Sequence, residues 1–206
     1  HIEILKLEEF GSALFIDSEL QVAEKDEKKY SGQFVSSALN LQKDNSSAAI
    51  IGGGDGGVAR ELLSKGFDLI DWYELDPEVV KVCQKYLPKI CGDTKANNKV
   101  KTYWGDAFES IKKVKDSKYD KIFVDLNDDQ FCIDLAAKNM KGLKRILKPN
   151  GVLTAQVGCM SKKPKQVKNW LDLLKNNFGN VVLDEVFIPS FDCRWNFASS
   201  LNKNQS

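Results

Sequence analysis

The side chains with the clearest chemical potential are carboxylates placed where apolar runs end. A run at 48–51 gives way to Gly52-Gly53-Gly54-Asp55-Gly56-Gly57, and a second ends in Tyr73-Glu74-Leu75-Asp76. A third closes at Trp104-Gly105-Asp106-Ala107, and a fourth at Asp125-Leu126-Asn127-Asp128-Asp129. A glycine-rich turn between a strand and a helix lets a ligand approach the backbone and meet the positive end of the helix. An acidic residue closing the next strand, about 20 residues on, commonly takes the ribose hydroxyls of a nucleoside. Gly52, Gly53, Gly54 and Gly56 with Glu74 therefore predict a nucleoside site. Asp106, followed by Ala107, is placed to accept a hydrogen bond from an exocyclic amine such as that of adenine; its other reading is an ordinary helix N-cap. Asp55, inside the glycine loop, is unfavourable beside a phosphate and favourable beside a cation. The carboxylates clustered from Asp125 to Asp129 repel one another without a cation nearby. The expected ligands are a positively charged nucleoside and a positively charged amine.

Positioning these groups requires strands that alternate with helices. Residues 2–24 alternate and turn as a β-hairpin or meander. Asp26 is a candidate cap for a helix carrying Tyr30, Phe34, Val35, Ala38 and Leu41 at helical spacing. Strands are then expected at 48–51, 69–75, 100–103, 121–124 and 151–157, with helices at 58–63, 77–86, 107–114, 131–147 and 165–178. Pro77 suits a first helical turn, and Lys148-Pro149-Asn150-Gly151 reads as a stop and turn. Residues 181–188 and 195–198 are expected to finish the sheet as an antiparallel pair, and 201–206 to fray. The predicted fold class is α/β: a Rossmann-like, mostly parallel sheet with helices on both faces, preceded by a short N-terminal β-hairpin region. The division is a partial N-terminal β region at 1–24 and a catalytic domain at 25–206.

Composition narrows the function. The 206 residues carry 30 Lys+Arg against 29 Asp+Glu, a formal net charge of +1, which speaks against a nucleic-acid partner. No apolar run approaches the roughly 20 residues of a membrane helix, so no membrane partner is expected. The segment 2–7 is short, interrupted by Glu3 and Lys6, and lacks the basic lead-in of a secretory leader. The cysteines are Cys83, Cys91, Cys132, Cys159 and Cys193, with no CxxC, and the only histidine is His1. No metal site is expected. Reduced, mostly buried thiols in the cytoplasm are the expectation.

The ordered motifs resemble the polyamine aminopropyltransferases, the spermidine and spermine synthase family. The resemblance starts at Phe10-Gly11 and at Gln21-Val22-Ala23-Glu24-Lys25-Asp26-Glu27-Lys28-Lys29-Tyr30. It continues through the glycine loop, Glu74-Leu75-Asp76, Gly105-Asp106-Ala107 and Asp125-Leu126-Asn127-Asp128, and ends with Gln156 and Ile188-Pro189-Ser190. It implies decarboxylated S-adenosylmethionine as co-substrate, no prosthetic group, and a homodimer. Glu74 would take the ribose, Asp106 the adenine, and Asp55 the aminopropyl amine, with Gln21 lining the same site. Asp125 would orient and deprotonate the attacking amine with help from Tyr30. Asp128 would bind the distal ammonium of the acceptor, with Gln156 also at the acceptor side. The sequence departs from the family in having Ser31-Gly32-Gln33 after Tyr30, no proline after Asp128, Gly158 after Gln156-Val157 in place of a glutamate, and Phe191 where a substrate tyrosine is expected. Ser31 and Trp195 lie closer to the spermine synthase branch. A methyltransferase using intact S-adenosylmethionine, or a nucleoside-binding homologue with weak catalysis, are the alternatives on this scaffold.

Overall fold

The structure is a computed structural model that describes residues 1–203. It contains two sheets. Strands β1 (Ile2–Leu7), β2 (Gly11–Ile16) and β3 (Glu19–Ala23) form an antiparallel meander. The larger sheet is built from β4 (Ser47–Gly52), β5 (Leu69–Glu74), β6 (Val100–Trp104), β7 (Tyr119–Asp125), β8 (Leu147–Cys159), β9 (Val182–Ile188) and β10 (Cys193–Leu201). Its order is β6-β5-β4-β7-β8-β10-β9. The strands from β6 across to β8 are parallel, and β10 is antiparallel to both β8 and β9. The chain runs outward from β4 to β6, then returns to β7 on the other side of β4. That reversal opens a crevice at the carboxyl ends of β4 and β7, where ligands bind in sheets of this kind.

Helices cover both faces because the strand side chains alternate. Ala49 and Ile51 of β4 face one apolar cluster, and Ala48 and Ile50 face the other. The first cluster receives α5 (Ala107–Ile111), α6 (Gln130–Ile146) and α7 (Pro164–Phe178), chiefly through Phe108, Met140, Leu143, Trp170 and Leu174. The second receives α1 (Glu27–Leu41), α2 (Gly57–Ser64) and part of α3 (Pro77–Tyr86), through Phe34, Val35, Leu62 and Val80. A third cluster joins Leu14 and Val22 of the meander to Val79 and Cys83 of α3 and to Ile90 of α4 (Pro88–Cys91). The meander thereby closes over one side of the crevice.

Several local expectations are corrected. The turn expected at Lys148-Pro149-Asn150-Gly151 lies inside β8, where Asn150 takes a positive φ of 61°. The short helix α4 was missing from the pattern, since four residues carry no helical period. The expected fray begins too early: Leu201 ends β10, and Asn202 exchanges backbone hydrogen bonds with Asn150 and Gly151 at 2.8 Å. Residues 204–206 lie outside the described residues. Asp26 sits at the N-cap of α1, yet its carboxylate accepts from Ser190 N (2.7 Å) and Ser190 Oγ (3.0 Å) instead of capping the helix. Cys159 and Cys193 are joined in a disulfide with Cα atoms 6.4 Å apart, against the expectation of reduced thiols throughout. Neighbouring strands β8 and β10 bring them together across 34 residues, which no local spacing reveals. With that pair goes the support that reduced cysteines lent to a cytoplasmic location.

Candidate active site

The crevice is a cavity of about 620 Å³, within the range of small-molecule sites. Its wall carries the carboxylates of Glu19, Asp26, Glu27, Asp55, Glu74, Asp76, Asp106, Asp125 and Asp128, and no Lys, Arg or His among the described residues. Gln21, Tyr30, Gly52, Gly53, Gly54, Ala107 and Gln156 are on the same wall. Gly56 is not. Its added Cβ would come within 2.9 Å of Cys91 Cβ, so this glycine, at φ 81°, lets α2 pack closely against α4 beneath the loop.

The loop follows from the strand pairing. Gly52 is in register with Asp125, and Gly53 N donates to Asp125 O at 3.1 Å. A Cβ on Gly53 would stand 2.9 Å from Asp125 Oδ2, so the glycine leaves room for the carboxylate to face the cavity. Asp55 Oδ1 accepts from Gly57 N at 2.6 Å, which folds its side chain back over the start of α2. Glu74, buried at the end of β5, accepts from Asp76 N at 2.9 Å through Oε1. Asp106 is an N-cap, its Oδ1 accepting from Phe108 N (2.7 Å) and Glu109 N (3.3 Å) at the start of α5, and it also lines the cavity.

Asp125 is the centre of the arrangement. Tyr30 donates its phenolic hydrogen to Asp125 Oδ1 at 2.7 Å, linking α1 to the end of β7 across 95 residues. The Asp125 carboxyl is raised to about 6: burial pushes it up most, the Tyr30 hydrogen bond works against that, and the negative charges of Glu74 and Glu27 add to the rise. Burial, then Asp125 and Glu27, raise Asp55 well above the usual carboxylate range. Burial also raises Glu74. Burial and the Asp125 charge hold Tyr30 protonated, so it serves as a hydrogen-bond donor. A site that pushes several acids upward together is short of positive charge.

The far end of the cavity is aromatic. Tyr30, Phe191 and Trp195 surround it, with ring centroids 6.4 Å apart for Tyr30–Phe191 and Tyr30–Trp195 and 4.8 Å for Phe191–Trp195. Aromatic faces favour a cation over an anion. Gln156 is committed to the protein itself: Oε1 accepts from Trp195 Nε1 and Gly158 N, both at 3.1 Å, and Nε2 donates to Leu126 O. It braces the strand ends that hold the ring and the acids. Sequence reasoning passed over Glu27, which is buried and bound by Arg60 Nη1 at 2.6 Å. Its place in the Asp26-Glu27 motif was the available signal. Phe191 enters the sequence reading only as a departure from the family and Trp195 only as a likeness to its spermine synthase branch; their place beside Tyr30 comes from the fold.

The site thus combines a mostly parallel α/β sheet, a glycine loop and a crevice walled by carboxylates, with no basic side chain on that wall among the described residues. The chain belongs to the spermine/spermidine synthase family, whose domain model matches residues 27–206. It is 35% identical to a polyamine aminopropyltransferase of Prochlorococcus marinus strain MIT 9215, over 100% of this chain and 75% of that protein. A relative from strain MIT 9301 bearing the same description is 34% identical over the same shares. Among solved structures, a spermidine synthase from Thermotoga maritima superposes with a TM-score of 0.90 at 21% identity, covering 98% of this chain and 69% of that one. A spermidine synthase in complex with the transition-state analogue AdoDATO gives 0.91 at 20% identity, over 98% and 70%. These two likenesses bear out the expected α/β fold.

Proposed function

We propose that the protein is an enzyme that transfers the aminopropyl group of decarboxylated S-adenosylmethionine to a polyamine acceptor and releases methylthioadenosine. The observation that carries this reading is the cavity wall, rich in carboxylates and without a basic side chain among the described residues. Membership of the family and likeness to proteins described as polyamine aminopropyltransferases support it.

In this reading Glu74 holds the ribose, Asp106 and Ala107 flank the adenine, and Gly52, Gly53 and Gly54 give the nucleoside close access to the backbone. Asp55 and Gln21 attract the aminopropyl ammonium. Asp128 takes the distal ammonium of the acceptor, and Gln156 acts as a brace. A protonated amine has no lone pair to attack with, so Asp125 accepts its proton while Tyr30 fixes the carboxylate's direction. The amine nitrogen then attacks the methylene carbon next to the sulfonium. The C–N bond forms as the C–S bond breaks, and sulfur leaves with the bonding pair as a neutral thioether. A base near 6 is ionised at neutral pH, yet still basic enough to draw off the proton. Residues 1–24 serve as an N-terminal β region closing the crevice, and 25–206 as the catalytic domain. A cytoplasmic homodimer completes the reading, on the family resemblance.

The test is calorimetry with decarboxylated and with intact S-adenosylmethionine, followed by product analysis with putrescine and spermidine. Preference for the decarboxylated form with release of methylthioadenosine is expected. Preference for the intact form would move the reading to methyl transfer, and binding without product would leave a nucleoside-binding homologue.

A further inference from the structure

Asp128 is the one cavity carboxylate at the acceptor end that already holds a side-chain ammonium among the described residues. Lys163 Nζ donates to Asp128 Oδ1 at 3.0 Å, reaching in from the turn between β8 and α7, and Lys163 is itself outside the cavity wall. The side chains are 41% exposed for Lys163 and 17% for Asp128, so the lysine can leave for water while the carboxylate stays.

The turn that delivers this lysine is firmly held. Lys163 N and Lys162 N donate to Cys159 O at 2.8 and 3.1 Å, and Lys162 Nζ donates to Phe191 O at 2.7 Å. Gly158, at φ 86°, provides the space that Asp128 occupies, since a Cβ there would lie 2.7 Å from Asp128 Oδ2. The backbone beneath Asp128 and the cation beside it are thus fixed by neighbouring residues of one segment.

We propose that Lys163 is a specificity-determining residue for the acceptor: a tethered ammonium that competes with the substrate's distal ammonium for Asp128. This rests on the assignment of Asp128 to the acceptor in the proposed function. The competition bears hardest on a diamine, whose only ammonium besides the attacking nitrogen depends on Asp128. A triamine has a further ammonium to place elsewhere along the acidic and aromatic wall and loses less.

The experiment is calorimetric titration of putrescine and of spermidine into the methylthioadenosine complexes of the wild-type protein, K163M and K163R, with steady-state kinetics alongside. The exposed lysine makes K163M structurally mild, and methylthioadenosine affinity checks the rest of the site. Releasing an ion pair of this exposure should tighten putrescine binding by roughly 2- to 5-fold, with a smaller gain for spermidine. Acceptor KM should fall in step, and K163R should restore the wild-type preference. Unchanged or weaker putrescine binding in K163M, or an equal gain for both amines, overturns the proposal. Product formation with no change in amine affinity would sink only the role of Lys163. Tighter putrescine binding without aminopropylated product would sink only aminopropyl transfer.

Discussion

Strand β7 carries an aspartate near each end, and the two live in opposite electrostatic worlds. Asp120, at the start, is buried, which alone would raise its carboxyl. Hydrogen bonds from Ser46 and Ser47 and from Lys148 outweigh that and bring it down to about 2. Ser46 Oγ is at 2.5 Å, Ser47 Oγ at 2.6 Å and Lys148 Nζ at 2.9 Å. Asp125, at the other end, has one phenol at 2.7 Å and is pushed up to about 6. Strand β5 repeats the contrast: Asp71 is paired with Lys118 and with Tyr119 Oη, whereas Glu74 at its end accepts only from backbone among the hydrogen bonds described. The fold answers Asp120 and Asp71 with lysines of its own; on the cavity wall it pairs Glu27 with Arg60 and Asp128 with Lys163, and leaves Asp125 and Glu74 without a cation among the described residues. The fold holds Asp120 as a charged, hydrogen-bonded carboxylate, whereas Asp125 is left for a cationic ligand to answer.

The sharpest way to break this comparison is Asp125→Asn. Turnover should fall by roughly 100-fold or more, as loss of a general base requires, with little change in nucleoside affinity measured by calorimetry. The same substitution should raise the melting temperature. A carboxyl whose pKa is higher folded than unfolded binds more protons in the folded state between the two values. Asp125 therefore withdraws stability as pH rises from near 4 through about 6, and removing its charge gives that stability back. A lower melting temperature at neutral pH would contradict the electrostatic account even if turnover collapsed.

Tyr30→Phe is expected to be milder. The phenol lowers the Asp125 carboxyl, so its loss should move the acidic limb of kcat/KM for the amine above its wild-type position near 6, with turnover down by about 10-fold. An unmoved pH profile would show that the hydrogen bond does not control the base. A cationic co-substrate should lower the Asp125 carboxyl on binding, so calorimetry near pH 6 in buffers of different ionisation enthalpy should register proton release. Proton uptake would reverse the assignment.

The smallest effect belongs to the other end of β7. Asp120→Asn should destabilise the fold by roughly 1–2 kcal/mol after allowance for solvent screening, leaving kcat largely unchanged. Asp120 has the lowered carboxyl, so its contribution is present at neutral pH and lost as pH falls through the range from near 4 to about 2. The gap between this variant and the wild type in urea melts should therefore shrink by roughly half from pH 7 to pH 3. A constant gap would mean the cost is packing rather than charge.

The legible parts of this protein were those with local signatures. Alternating apolar runs and helical periods marked the parallel strands and the longer helices, and Pro77 to Tyr86 matched α3 at both ends. Glycines before a helix and acids after strands located the crevice, because the geometry of a parallel sheet puts successive strand ends side by side. What only the tertiary structure decided were pairings between distant segments. Examples are Asp26 on Ser190, Arg60 on Glu27, Cys159 on Cys193 and Lys163 on Asp128. A residue's type and neighbours along the chain set which charge it can carry. Whether that charge is answered from within the fold or left for a ligand depends on side chains brought near by packing, and this distinguishes the two ends of β7.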